Sequence, residues 1–255
     1  MLQPLRSKVS DRMTYGEMAA VYDALMKDVP YEEWVSFTLD YSSGHKILDM
    51  GCGTGEIAIR LADKGCQITG VDFSEDMLAI AHDKAHSSAD IQWLKQDIRQ
   101  LEGLENFDTV ISFFDVLNYI TSLEELRTVF QQTHSVLKPG GTFLFDVHSL
   151  YHLKENMGGQ TFAEVYDDIT YIWFCEPGEE PDTFNHDLTF FVQNSRGEYS
   201  RFDEYHTQRG YTIEVLKEEL HRTGFEIKGI AADLERKPVL HDTDGDRIFF
   251  ICTRK

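Results

Sequence analysis

The chain has 255 residues, 42% hydrophobic and 27% charged, with 18 glycines and 6 prolines. At roughly 100–200 residues per domain this is one large domain or one domain with an embellishment, and the balance excludes disordered, collagenous and disulfide-scaffold classes. With 24 Lys and Arg against 44 Asp and Glu the net charge is −20, a field that disfavours nucleic acid and anionic membrane and suits small neutral or cationic partners.

Met1–Met13 lacks the apolar run of a secretory signal. Apolar or aromatic residues at 15, 18, 19, 22, 25 and 26 then predict an amphipathic helix over Tyr15–Met26. A second helix is expected after Pro30, which suits a first helical position.

From residue 45 short apolar runs alternate with helical stretches. His45–Met50, Gln67–Asp72, Ile91–Lys95, Phe107–Phe114 and Thr142–Val147 are predicted strands. The helices between them are Glu56–Lys64, stopped by Gly65, one capped by Ser74, and one running from a capping box at Ser122 and Glu125 to Leu137. This alternation implies a parallel α/β sheet.

Beyond Ser149 the stretches Phe162–Cys175, Phe184–Asn194 and Glu198–Gln208 are rich in Thr, Tyr, Phe and Val, as expected of an antiparallel meander. A helix from Thr212 to near Gly224 and two strands, Phe225–Ala232 and Arg247–Thr253, follow. The four cysteines, at 52, 66, 175 and 252, contain no C-x-x-C pair, which with the missing signal points to a reducing cytoplasm. The longest apolar runs, such as Ile248–Cys252, fall far short of the ~18 residues of a membrane span.

Asp49-Met50-Gly51-Cys52-Gly53-Thr54-Gly55 carries a strand into a glycine turn and then a helix, so the backbone can approach a ligand closely. Asp72 ends the next strand, where a carboxylate can accept both ribose hydroxyls. The loop departs from the dinucleotide pattern G-x-G-x-x-G/A by placing Glu56 at its last position, and that carboxylate sits badly beside a pyrophosphate. Asp49 adds a second acid. Both favour a cationic, phosphate-free nucleoside cofactor.

Asp49 to Gly55 matches the signature D/E-x-G-x-G-x-G, and the chain resembles the class I S-adenosylmethionine-dependent methyltransferases. The likeness also takes in Asp72-Phe73, Gln96-Asp97-Ile98, strand four at Phe107–Phe114, and Leu137-Lys138-Pro139-Gly140-Gly141. It implies an α/β fold with a doubly wound, mostly parallel seven-stranded sheet of order 3-2-1-4-5-7-6, carrying an antiparallel β-meander insertion. On this reading 1–44 is an N-terminal helical lid, 45–150 the cofactor-binding core and 151–210 the insert. Residues 211–255 complete the core.

The resemblance further implies S-adenosylmethionine as cofactor and S-adenosylhomocysteine as product. Gly51, Cys52, Gly53 and Gly55 would lie under the methionine and ribose, Asp49 near the α-amino group and Asp72 on the ribose. Phe73 and Met77 would flank the adenine, with Asp97 on its amino group beside Ile98. Phe113 and Phe114 would face the sulfonium, and Tyr15 and Tyr22 would cover it from the first helix. Core packing accounts equally well for Phe73, Met77 and the two tyrosines.

A methyl acceptor with a proton to lose needs a base, for which His148, Asp115 and Tyr119 are the candidates at the carboxyl ends of strands four and five. No metal site is expected: His82 and His86 are i, i+4 without a third ligand, and Asp242–Asp246 has its glycine misplaced for a calcium loop. The acidic neighbours of Cys52 argue against a nucleophilic thiolate.

A methyltransferase acting on an N or O atom of a small molecule is the preferred reading, as monomer or homodimer. The insert would then be either pocket roof or dimer surface. An RNA or protein methyltransferase and a non-catalytic S-adenosylmethionine or S-adenosylhomocysteine sensor are the alternatives. The acidic charge and the absence of an Asn/Asp-Pro-Pro-Tyr run after strand four count against the macromolecular one.

Overall fold

A computed structural model describes residues 15–86, 90–234, 239 and 241–255; the side chains of 15–18 and 20 are not among the described ones. Met1–Met13 and the side chain of Tyr15 therefore lie outside the described residues.

Seven strands form one sheet: β1 (Lys46–Met50), β2 (Gln67–Asp72), β3 (Ile91–Lys95), β4 (Phe107–Ser112), β5 (Leu137–His148), β10 (Phe225–Ala232) and β11 (Arg247–Arg254). Their order is β3-β2-β1-β4-β5-β11-β10, with the first five parallel and β11 antiparallel to both neighbours. This is the order expected from the sequence.

The helices are α1 (Tyr15–Leu25), α2 (Tyr31–Tyr41), α3 (Glu56–Asp63), α4 (Glu75–Lys84), α5 (Leu123–Val136) and α6 (Ile213–Arg222). Successive strand residues feed opposite faces. Leu48, Val110 and Phe145 pack against Phe130 of α5 and Leu216 of α6, while Ile47, Ile111 and Leu144 pack against Phe37 of α2 and Leu61 of α3. Burial on both faces is why these strands are apolar runs without alternation.

The insert is a separate antiparallel sheet, β6 (Gln160–Val165), β7 (Ile169–Pro177), β8 (Thr183–Gln193) and β9 (Tyr199–Arg209), in sequential order. Four strands replace the three expected, because Phe162–Cys175 is broken by a hairpin turn in which the Tyr166 amide donates to the Ile169 carbonyl at 2.8 Å. A short π-helix, His152–Met157, links β5 to the insert and buries Leu153 and Met157 beside Cys175 and Phe184. On α1, Val21 packs against Ile169, Phe190 and Phe202 of the insert.

Three local expectations change. Pro30 is the cap of α2 rather than its first residue, and β5 starts at Leu137, five residues early. Ser122 caps α5 without a side-chain bond, and the Glu125 carboxylate pairs with Arg99 at 2.7 Å, so the capping box does not form. Ser74 does cap α4, accepting from the Met77 amide at 3.2 Å.

Candidate functional site

The order reverses between β1 and β4, and a cavity of about 440 Å³ opens there beyond the carboxyl ends of the strands. Tyr22, Asp49, Gly51, Cys52, Gly53, Asp72, Phe73, Met77, Asp97, Ile98, Phe113, Phe114 and Tyr119 all line it. These include most of the residues singled out from the sequence.

The glycine turn follows β1. A Cβ on Gly53, at φ +52°, would meet nothing within 4 Å, so its missing side chain leaves open room beside the cavity. Gly55, at φ +80°, is closed in, since a Cβ there would lie 2.7 Å from Trp93 Cη2. It shapes the turn and does not line the cavity.

Asp72 holds the turn in place. Its Oδ2 accepts from the Gly53 amide and its Oδ1 from the Ser74 amide, each at 2.8 Å. Burial raises its pKa, with the amide bonds opposing. Asp49 is buried beneath the turn, and desolvation together with the Asp72 charge pushes its carboxyl up to about 7. Burial and the same two acids raise the Cys52 thiol well above its usual range, which leaves no nucleophilic thiolate.

At the other end Phe73 is 62% exposed, an aromatic face at the cavity wall, while Met77 is buried. Asp97 is gripped by the Arg99 guanidinium at 2.6 Å, whose hydrogen bonds hold its carboxyl below the usual range. Arg99 also pairs with Glu125. The cavity wall thus carries the acids Asp49, Glu56, Asp72 and Asp97, against one arginine already shared by two carboxylates. Such a wall repels phosphate and suits a positively charged ligand with an aromatic base.

Two of the three base candidates are placed elsewhere. Asp115 and His148 do not line the cavity but belong to a buried ion cluster, in which Asp115 Oδ1 lies 3.0 Å from Arg247 Nη2 and 3.4 Å from His148 Nε2. Gln208 of the insert donates to Asp115 Oδ2 at 2.7 Å. Burial would raise the Asp115 carboxyl, but the charges of His148 and Arg247 outweigh it, and burial pushes His148 down to about 4. A carboxylate spent on an arginine is a poor proton acceptor, so the cluster orders the strand tips. Tyr119 does line the cavity.

The wall also contains Glu56, noted above for its charge, and Tyr31, Thr54, Gln96, Arg99, Val116, Ile120 and His206, to which the sequence assigned no role. Thr54, Glu56 and Gln96 sit inside motifs already noted. His206 arrives from β9, and no local pattern could have signalled it. Among the described residues, no group of three or more His, Cys, Asp or Glu is placed to hold a metal ion, and none of the described helices is long and apolar enough to cross a membrane.

The glycine turn without a Cβ at Gly53, the exposed Phe73 ring and the acidic wall fit S-adenosylmethionine. With the seven-stranded order they define a class I S-adenosylmethionine-dependent methyltransferase fold. Comparison with known proteins agrees: residues 47–141 match the family described as a methyltransferase domain. A Geobacillus sp. (strain WCH70) protein named as a methyltransferase is 40% identical, over 95% of this chain and all of its own length. One from Bacillus subtilis (strain 168) is 41% identical over 93% of this chain and 96% of its own.

In solved structures, an S-adenosylmethionine-dependent methyltransferase from Clostridium acetobutylicum ATCC 824 superposes with a TM-score of 0.84 at 30% identity, covering 94% of this chain and 98% of that one. The chain belongs to this methyltransferase family.

Proposed function

We propose that the protein moves the methyl group of S-adenosylmethionine to a nitrogen or oxygen atom of a small-molecule acceptor. The observation that carries this is a single cavity whose wall is built jointly by the cofactor turn, at Gly51 and Gly53, and by the insert, at His206. About 440 Å³ is in the range of small-molecule sites. Alignment of donor and acceptor inside such an enclosure, away from water, is the main contribution a protein makes to in-line displacement.

In this reading Asp49 faces the α-amino group, Asp72 the ribose, Phe73 and Met77 the adenine, and Phe113 and Phe114 the sulfonium. The Asp97 carboxylate would have to share Arg99 to reach the adenine amino group. Helix α1 is the lid, because Tyr22 enters the cavity wall while Val21 on the same helix packs on the insert. The insert is the roof of the acceptor end.

Calorimetry against S-adenosylmethionine, S-adenosylhomocysteine and NAD tests the cofactor. Micromolar binding of the two sulfur compounds with NAD silent is the expected result, followed by transfer from methyl-labelled donor to members of an amine and phenol panel. Binding of NAD alone overturns the reading.

A further inference from the structure

We propose that His206 is the catalytic base of the methyl transfer, the group that takes the proton of an N–H or O–H acceptor. This rests on the methyl-transfer reading above and adds the residue that the reaction requires. The cavity wall offers few alternatives. Asp49 is the partner of the cofactor's α-amino group in this reading, Asp72 is bonded to two amides and Asp97 to Arg99. Glu56 is tied to Arg60 and Lys84. Burial pushes the Tyr31 phenol up to about 12 and raises that of Tyr22 further.

His206 is the imidazole in that wall, and it is set against Tyr119, with ring centroids 5.8 Å apart at 86°. It therefore borders the short turn after β4 that ends at Tyr119. Its position is fixed from behind. It pairs across the strands with His186, whose Nδ1 accepts from Trp173 Nε1 at 3.1 Å. That bond assigns the His186 proton to Nε2, so His186 stands as a neutral ring next to His206.

The titratable neighbours are His186 across the strands on β8, Glu204 two residues back on β9, and Tyr119 after β4. Burial lowers the pKa of His206, which keeps the ring neutral and able to accept at neutral pH.

The step balances. The acceptor lone pair forms the new bond to the methyl carbon, the sulfur–methyl bond breaks with its electron pair passing to sulfur, and the acceptor proton moves to the His206 imidazole. The imidazolium then returns the proton to water.

The test needs no acceptor, because S-adenosylmethionine and S-adenosylhomocysteine differ by one methyl and one positive charge at the reacting sulfur. Imidazole 15N spectra of the full-length protein, labelled at histidine, are titrated from pH 4 to 9 with each compound at saturation. The spectrum of His206→Gln identifies the His206 signal, and calorimetry and a melting curve on the same samples show that ligand is bound and the fold kept.

If His206 faces the reacting centre, its pKa is lower in the S-adenosylmethionine complex than in the S-adenosylhomocysteine complex by about half a pH unit or more, the size expected of one charge at close range in a partly wet site. Equal values in the two complexes place His206 away from the methyl and overturn the proposal. So does a ring that stays unprotonated throughout. Failure of both compounds to bind overturns the methyl-transfer reading itself, an outcome distinguishable from the other two.

Discussion

Arg247, the first residue of β11, lies 2.7 Å through Nη1 from Oδ1 of Asp146, whose side chain is fully buried in β5. Asp146 is fully satisfied: it also accepts from the Trp34 indole at 3.0 Å and from the Phe114 and Asp115 amides at 3.2 and 2.8 Å. Phe114 and Asp115 have φ of 60° and 54°, the left-handed region that such residues adopt only when their surroundings compel it. Trp34 stacks on Phe114 at 4.8 Å. One buried ion pair thus holds the backbone that presents Phe114 to the cavity.

Replacing Arg247 with Met should therefore destabilise the protein by about 3–5 kcal/mol, because it leaves a buried carboxylate without its counter-charge. Urea unfolding checks this. A loss below about 1 kcal/mol would mean that the carboxylate takes up a proton or water at little cost, and the cluster would then lose its ordering role.

Asp72→Ala should weaken S-adenosylmethionine binding by about 1.5–3 kcal/mol, the range for a hydrogen bond to a charged group. Asp72→Asn should recover part of it, since the amide oxygen can still accept from the Gly53 or Ser74 amide. Calorimetry on all three proteins distinguishes a ribose contact from loss of the turn. Unchanged affinity in the alanine variant would remove Asp72 from the ligand.

Gly53→Val and Gly55→Ala should fail in different ways. The first places methyl groups in the open space beside the cavity, so ligand affinity falls at least about tenfold while folding is only strained at one φ. The second drives a Cβ to within 2.7 Å of Trp93, so the melting temperature falls. Melting curves beside binding isotherms test the pair, and a Gly53→Val protein with native affinity would show that the turn does not lie under the ligand.

Helix α1 is tied to the glycine turn. Asp23 on α1 accepts from Thr54 in the glycine turn at 2.5 Å and from Lys84 on α4 at 2.8 Å. Asp23→Ala should speed ligand dissociation several-fold in stopped-flow measurements while leaving the melting temperature nearly unchanged, because these groups are partly exposed. Unchanged dissociation would mean that α1 does not gate the cavity.

The contrast between Gly53 and His206 shows what the sequence could disclose. Gly51, Gly53 and Asp72 lie within a few residues of strand ends that periodicity located, while Asp97 came from the family resemblance; all four line the cavity. The meander was legible as strands, but its hairpin at Asp167-Asp168 was not, because no glycine or proline marks the turn. His206 stands alone in its segment, and only the docking of β9 against the turn after β4 brings it to the cavity. The ion cluster of His148 and Asp115 was illegible for the same reason, since Arg247, 99 and 132 residues further on, cannot be paired with them by spacing.

Asp49 links stability to binding through pH. Its carboxyl pKa is raised from 3.8 to about 7 by burial and by Asp72, so the folded, ligand-free protein binds a proton that the unfolded chain releases. The stability this proton contributes is fully present below about pH 4 and is lost as pH rises through about 7. The span corresponds to something on the order of 4 kcal/mol. A cationic ligand acts in the opposite sense, since it favours the carboxylate. S-adenosylmethionine affinity should therefore rise between pH 6 and 8 and level off above, with a proton release read from the dependence of the observed binding heat on the buffer's ionisation heat. Asp49→Asn should abolish that slope, weaken binding, and yet unfold at higher urea than the parent at pH 8. If the variant kept the pH dependence, the titrating group would have to be sought elsewhere in the wall, with Glu56 and Asp72 the next to be changed.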